Sequence, residues 1–516
     1  MVGGVALYIL LFLTFGILKV SYWIFVYQDF VSPYRNLPAP KKRTFLMGAF
    51  VLYWKDNDWT AGARLARENQ DVPFVRFPGP LGMDNLIPTS IAGLTEILNS
   101  KVYKFVKPQT VARGFRSVLG NGLFFAEGDD HRQQRKLITP SLSLAQVRGM
   151  IPIMTRNFLH AVEILDNGKQ SGEEITMNAP DFLSRLTLDI VGETSFGVSM
   201  NALSDENNSI VAAYSAISNP VDTPLIFALN SFIPGFSTLP LAANRMIARN
   251  KKVVADFCEK IVLDKRDAFL REQMDAAKEG KKVDRNKRSP DVLSYFVRDE
   301  SYEWSVNEIT NQMMVFLVAG HETSATAMTW AFLRLCQHPE LQERARKEIR
   351  EHFPNGIADI QTQDDLDKLV FITHLTNEIL RIHPPIPITV REAYEDTYVQ
   401  GVKIKKGTII HLVPPQLNRD KNLWGEDADE FNPDRWIGHK AEHAYAFMTF
   451  LNGTRICIGK RMAEFELRIL LAGFLGRYKI EYLVPEQSLA MPTEFIITHR
   501  PKGNLNLKFT IVGDWK

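Results

Sequence analysis

Cysteine is nearly missing from this chain: 516 residues contain only Cys258, Cys336 and Cys457. Three thiols argue against a disulfide framework and fit a reducing compartment. A zinc or iron–sulfur site would need further cysteines close to any one of them, and none is there. An excess of one charge sign is missing too. The 61 basic and 59 acidic residues leave a net charge of +2, which gives no support to a nucleic-acid partner. No internal repeat or low-complexity tract is visible. What is left is ordinary globular composition, 45% hydrophobic and 23% charged, on a chain long enough for two or three domains.

The amino terminus departs from that background. Val2 to Leu18 carries no charge, and after Lys19 the apolar pattern resumes from Val20 to Tyr27. As a helix rising about 1.5 Å per residue, this stretch exceeds a hydrocarbon core of about 30 Å. Lys19 would snorkel, or the span would tilt. A cleaved signal peptide would have a shorter apolar region and a small-residue cleavage site, and no good site follows. Residues 1–27 are therefore expected to be a retained, single-pass transmembrane anchor. Residues 28–50 read as a proline-rich basic hinge. Pro33, Pro38 and Pro40 stiffen it, while Arg35, Lys41, Lys42 and Arg43 form a positive flank that keeps this side cytosolic. The sequons at Asn207 and Asn452 carry no meaning on a cytosolic body.

Most of the body, 51–516, has helical period, including Pro339 to Phe353. Strand-like pieces occur near Tyr398 to Lys403 and Thr408 to Val413. The class is mainly α with a small β part. Arg271 to Ser289 reads as a solvated polar loop. Ser305-Val306-Asn307-Glu308 is a capping box that opens a long helix. His338-Pro339 closes it, because the residue before proline disfavours helix. The span is about 32 residues, or about 48 Å at helical rise.

The most specific stretch is Phe450-Leu451-Asn452-Gly453-Thr454-Arg455-Ile456-Cys457-Ile458-Gly459. It presents one thiolate ligand in a loop with glycine on both sides and a cation two residues before it. A lone sulfur suits a metal that brings its other ligands along, as haem does. The plainer alternative is a buried structural cysteine in a turn. The pattern Phe450-x-x-Gly453-x-Arg455-x-Cys457-x-Gly459 resembles the haem-binding signature of the cytochrome P-450 family, the haem-thiolate monooxygenases, and the chain looks most like fungal microsomal members. The resemblance implies a cytochrome P-450 fold behind a membrane anchor, with 51–516 as one haem-thiolate catalytic domain. It makes Cys457 the iron ligand of haem b.

Other segments fit the same family. Ala319-Gly320-His321-Glu322-Thr323-Ser324 lies in the middle of the long helix. Glycine there costs about 1 kcal/mol against alanine, and the Thr323 hydroxyl can bond back one turn and bend the helix. Ala319 and Thr323 share one face. By resemblance this is the oxygen-activation segment: Thr323 hydrogen-bonds the oxygen being activated and Glu322 helps bring in protons, while His321 has no ligand role. Glu378 and Arg381 stand three apart on one helix face. With Arg435 in Phe431-Asn432-Pro433-Asp434-Arg435-Trp436 they resemble the family's buried ionic triad, whose work is structural. The haem propionates want cations. The resemblance offers Arg455, Arg391, Arg135 and His131, the last standing where the family usually has Trp. Leu142 replaces a frequent Phe. The substrate pocket is expected to use Phe115 to Phe125, Phe316, Ala319, Gly320, Ile388 in the stretch Ile386 to Val390, and Phe495 near the end.

The activity implied is insertion of one oxygen atom from O2 into a lipophilic small molecule. A terpenoid or other secondary metabolite is favoured, with sterols and fatty acids as further candidates. The chain after Cys457 shows no flavin or NADPH domain. Electrons are therefore expected from NADPH through a membrane-bound cytochrome P-450 reductase, with cytochrome b5 as an additional candidate donor. Arg132, Lys136, Lys460 and Arg461 are the expected contacts. The compartment implied is the endoplasmic reticulum membrane, body on the cytosolic face. Thr223 to Ala242, apolar and broken by Pro224 and Pro234, reads either as a second membrane contact or as core helix. Two other functions stay open: a haem-thiolate isomerase or dehydratase needing no external electrons, and a haem sensor or carrier without turnover.

Overall fold

The computed structural model describes residues 11–515 apart from 12–13, 17, 45, 55–59, 169–173, 219–222, 282–290, 300, 439–442, 485–492, 496–497 and 504. Two compact units are present. One comprises Met1–Pro108, Ile386–Glu430 and Ala441–Ile456, the other Gln109–Pro385, Phe431–Lys440 and Cys457–Lys516.

The first unit is built on a five-stranded sheet in the order β1 (Phe74–Arg76), β2 (Asn85–Pro88), β8 (Ile409–Leu412), β5 (Thr389–Ala393) and β3 (Phe105–Val106). Its β2–β8 pairing is parallel and the others antiparallel. Side chains alternate across a strand, and here both faces are buried. Phe74, Leu86 and Ile410 enter one apolar cluster, Val75, Phe77 and Ile87 another. The hairpin β6 (Thr397–Val399) and β7 (Val402–Ile404) falls where the sequence predicts strand. Its two-residue turn, Gln400-Gly401, has φ of 48° and 75°, as a tight hairpin requires.

The start of the expected hinge packs against the first unit's sheet. A wide helical segment, Trp23–Val31, runs past the predicted boundary at residue 27. Tyr27 and Ser32 then donate hydrogen bonds to the Asp84 carboxylate at 2.8 and 2.7 Å. Tyr34 is buried in the sheet's cluster. Burying an aromatic ring and satisfying a carboxylate outweigh the stiffness of the prolines. Of the expected anchor, residues 1–10, 12–13 and 17 lie outside the described residues. Among the described residues no helix is long and apolar enough to cross a membrane.

The second unit is helical; the helices used below are α1 (Gln109–Leu119), α2 (Gly128–Ile138), α3 (Ala179–Val191), α4 (Ser209–Ser218), α5 (Thr223–Phe232), α6 (Ala242–Lys278), α7 (Val306–Gln337), α8 (Val370–Ile382) and α9 (Lys460–Arg477), among other elements. A three-stranded antiparallel sheet, β4 (Glu174–Asn178), β12 (Asn506–Ile511) and β9 (Tyr478–Tyr482), accompanies them, with the hairpin β10 (Thr493–Phe495) and β11 (His499–Pro501). The capping box of α7 forms as expected. The Glu308 amide bonds to Ser305 Oγ at 3.1 Å, and the Ser305 amide bonds to the Glu308 carboxylate at 2.8 Å. The loop expected from Arg271 starts later, because α6 continues to Lys278. Good helix formers fill that turn, and Glu272 pairs with Arg298 at 2.5 Å. The rest of that loop, 282–290, lies outside the described residues.

Candidate active site

Cys457 is the most accessible of the three thiols. It is exposed, Cys336 is intermediate and Cys258 is buried on α6. Burial pushes the Cys258 and Cys336 thiols up to about 12. Although Cys457 is exposed, the protein around its sulfur is dense enough that burial pushes this thiol up as well. The Gly459 amide and the charges of Arg135 and Lys460 pull the other way.

Backbone geometry shapes the approach to this cysteine. Gly453 has φ of +71°, and a Cβ there would strike the Leu98 carbonyl, so the first glycine of the motif is required sterically. Arg455 is buried, with its guanidinium 5.6 Å from the Tyr103 ring centre. Phe450 packs edge-on against Phe447 with ring centres 6.4 Å apart.

The centre of α7 presents one open face. Ala319 is exposed although Leu317, Val318, His321 and Glu322 around it are buried. Thr323, one turn later on that face, donates to the Ala319 carbonyl at 2.8 Å. Phe316 is half-buried. The anticipated bond-back thus exists, but α7 continues through it without a break. A Cβ on Gly320 would lie 2.8 Å from the Val191 side chain, so the missing side chain serves close packing against α3.

Glu322 is buried and bonded on both oxygens. Tyr214 on α4 donates to Oε2, and Thr498 donates to Oε1 at 3.0 Å. Burial raises its pKa to about 7, with the charge of Arg500 and the Thr498 bond opposing. His321 donates from Nδ1 to the Leu317 carbonyl at 2.6 Å, and burial lowers its pKa to about 4. It is a neutral packing residue at pH 7.

Glu378 and Arg381 on α8 are fully buried and paired bidentately at 2.8 and 2.7 Å. Arg435 Nε approaches Glu378 at 3.4 Å. Two donors the sequence did not nominate complete the arrangement: the Trp436 indole at 3.0 Å and the Asn432 amide at 2.9 Å. Both lie in the quoted segment around Arg435. Tyr214 and Thr498 had no such signal, being 108 and 176 residues from Glu322.

His131 and Arg135 lie one turn apart on α2, His131 buried, with Arg135 near enough to lower the Cys457 thiol pKa. Arg391 is buried on β5 and donates to the Val390 carbonyl at 2.8 Å. Ile388 is partly buried against the cluster of Tyr53 and Phe77. Phe495 ends β10, and Ile496 and Ile497 lie outside the described residues.

Among the described residues no three His, Cys, Asp or Glu side chains gather as a bare metal site. An accessible sulfur can serve as the one protein ligand of a metal that brings its other ligands with it. A profile of the cytochrome P450 family matches residues 41–507. The chain belongs to the cytochrome P450 family. It is 32% identical to cytochrome P450 monooxygenase sphH of Aspergillus fumigatus, over 99% of this chain and 94% of that protein. It is 28% identical to cytochrome P450 monooxygenase ALT8 of Alternaria alternata, over 95% and 92%. It is 29% identical to cytochrome P450 monooxygenase FUM15 of Gibberella moniliformis, over 90% and 85%. The mainly helical body with small sheets is thus a cytochrome P450 fold. The protein is a haem-thiolate oxidoreductase of monooxygenase type, a family that takes electrons from a redox partner and acts on lipophilic substrates.

Proposed function

We propose that Cys457 is the thiolate that holds haem b. The observation carrying this is that Cys457 alone among the three cysteines is exposed, in a loop whose glycine cannot be replaced without a clash. When bound, the haem supplies oxygen activation, with electron density donated by the sulfur. Arg455, Arg391, Arg135 and His131 are the propionate partners, while Phe450 and Gly453 shape the loop. Glu378, Arg381 and Arg435 brace the fold. Thr323 offers its hydroxyl on the open face of α7. Glu322, whose pKa is about 7 because of burial, exchanges a proton near neutral pH. Phe316, Ala319, Ile388 and Phe495 contribute to the substrate pocket.

The reaction inserts one oxygen atom of O2 into a lipophilic small molecule and releases the other as water. NADPH supplies the electrons through a cytochrome P450 reductase, with cytochrome b5 as an additional donor. Arg132, Lys136 and Arg461 are exposed and, with Lys460, form the basic docking contacts. The substrate is a terpenoid or another secondary metabolite, a reading supported by relatives that are fungal monooxygenases. The body lies on the cytosolic face of the endoplasmic reticulum membrane, anchored by its amino terminus. Exposed Phe232, Ile233, Leu239 and Leu241 support the second membrane contact rather than a core helix.

The test is to express the chain with a reductase and profile lipophilic metabolites. New products are expected to carry one added oxygen and to need both reductase and NADPH. Rearranged products formed without a reductase would establish the isomerase reading instead. Thr323→Ala is expected to keep haem and NADPH consumption while product per NADPH falls roughly tenfold, the scale of one hydrogen bond to a charged group. The missing reducing equivalents should appear as hydrogen peroxide, and unchanged coupling would remove the role given to Thr323.

A further inference from the structure

Glu322 owes its position to residues outside its own helix. Tyr214 grips Oε2 and Thr498 grips Oε1, and Thr498 accepts in turn from Thr326 at 2.9 Å. Neither bond leads to Thr323, whose hydroxyl is turned to the Ala319 carbonyl. Tyr214 is itself firmly held. Its ring stands edge-on to His321 with centres 4.3 Å apart. Its body belongs to an apolar cluster with Ala112, Leu119, Phe125 and Val318. Part of that cluster is the 115–125 stretch expected to line the substrate pocket. One side chain thus joins the apolar wall to the buried acid.

We propose that Tyr214 is the positioning residue of this acid: it fixes the orientation of the Glu322 carboxyl and sets how tightly that carboxyl holds its proton. The inference rests on the reading of Glu322 as a proton carrier.

The surroundings leave the phenol with a defined effect. Burial is the largest influence on Glu322 and favours the protonated form, while Arg500 on β11 favours the carboxylate. His321 on α7 is neutral at pH 7. Glu466 on α9 accepts from Ser324 at 2.6 Å, and burial raises its pKa to about 8, so it too is mostly protonated. Asp189 on α3 is held by the Ala202 and Leu203 amides, and Lys251 on α6 bonds to the Arg116 carbonyl. A phenol donating to a carboxylate stabilises the ionised form. Losing that donor must therefore raise the proton affinity of Glu322.

Infrared titration of the protonated-carboxyl band in haem-loaded protein tests this. Glu322→Gln identifies the band by removing it. Tyr214→Phe is expected to move its midpoint up by about one pH unit, a tenfold gain in proton affinity for one lost bond to a charged group. Thr498→Val should shift it in the same direction, and carries the test if Tyr214→Phe does not fold. A midpoint unchanged in the folded variants overturns the proposal. A shifted midpoint with normal coupling in Glu322→Gln would uphold the positioning role while refuting Glu322 as proton carrier.

Discussion

Cys457→Ala is expected to abolish the red-shifted Soret band of the reduced, carbon monoxide-treated protein. Monooxygenase turnover should fall to background, roughly a thousandfold or more, as when an essential bonding group is removed. The distinguishing control lies in the other two cysteines. Cys258 is buried within α6, and burial holds both its thiol and that of Cys336 near 12. Neither is placed to become a thiolate ligand, so Cys258→Ala and Cys336→Ala should retain the band. Cys457→Ser offers an oxygen in place of sulfur and should also lose the thiolate-type band, though it keeps the size and polarity of the loop. Difference spectroscopy on the purified variants decides the matter. A normal band from Cys457→Ala, or its loss in Cys336→Ala alone, would overturn the ligand assignment.

The second large effect is structural. Glu378→Ala should yield little folded, haem-loaded protein. The carboxylate accepts two bonds from Arg381, an approach from Arg435, the Trp436 indole and the Asn432 amide. Both guanidinium groups sit where water does not reach: the Arg381 side chain is 0% exposed and that of Arg435 is 5% exposed. Removing the acid takes from two buried cations the carboxylate they share, a loss of about 3–5 kcal/mol. That is a large part of a typical total stability of about 5–15 kcal/mol. Glu378→Gln keeps an acceptor but not the charge and should fall between the two. Arg381→Lys should be nearly as damaging as Glu378→Ala, because an ammonium cannot reproduce the paired bonds of a guanidinium. Thermal unfolding and the ratio of haem to protein absorbance measure both consequences. Full haem loading with an unchanged melting temperature in Glu378→Ala would contradict the account.

These two sites were legible to different degrees. The Glu378–Arg381 pair follows from helical spacing, and Arg435 follows from a recognisable segment. The number of donors on Glu378 does not follow from either, because Trp436 and Asn432 act through the turn that carries Arg435. The ends of α7 were readable to the residue, since capping boxes and pre-proline positions act over three or four residues. Gly320 shows the opposite case. Its place in a motif is a local fact, while the direction of its missing side chain depends on α3, which packs against it. The segment 28–50 is a related case. Proline content describes local stiffness, whereas Tyr34 and Asp84 determine whether the segment docks.

The sequence by itself determined the family, the lone sulfur, the order of the motifs and the limits of the long helix. All of these rest on identities and short-range spacing. Tertiary structure alone decided which cysteine is accessible and that Glu322 answers to Tyr214 and Thr498. The physical reason is that proton affinity follows desolvation and through-space donors. In this protein those donors come from segments 108 and 176 residues away, beyond the reach of any local pattern.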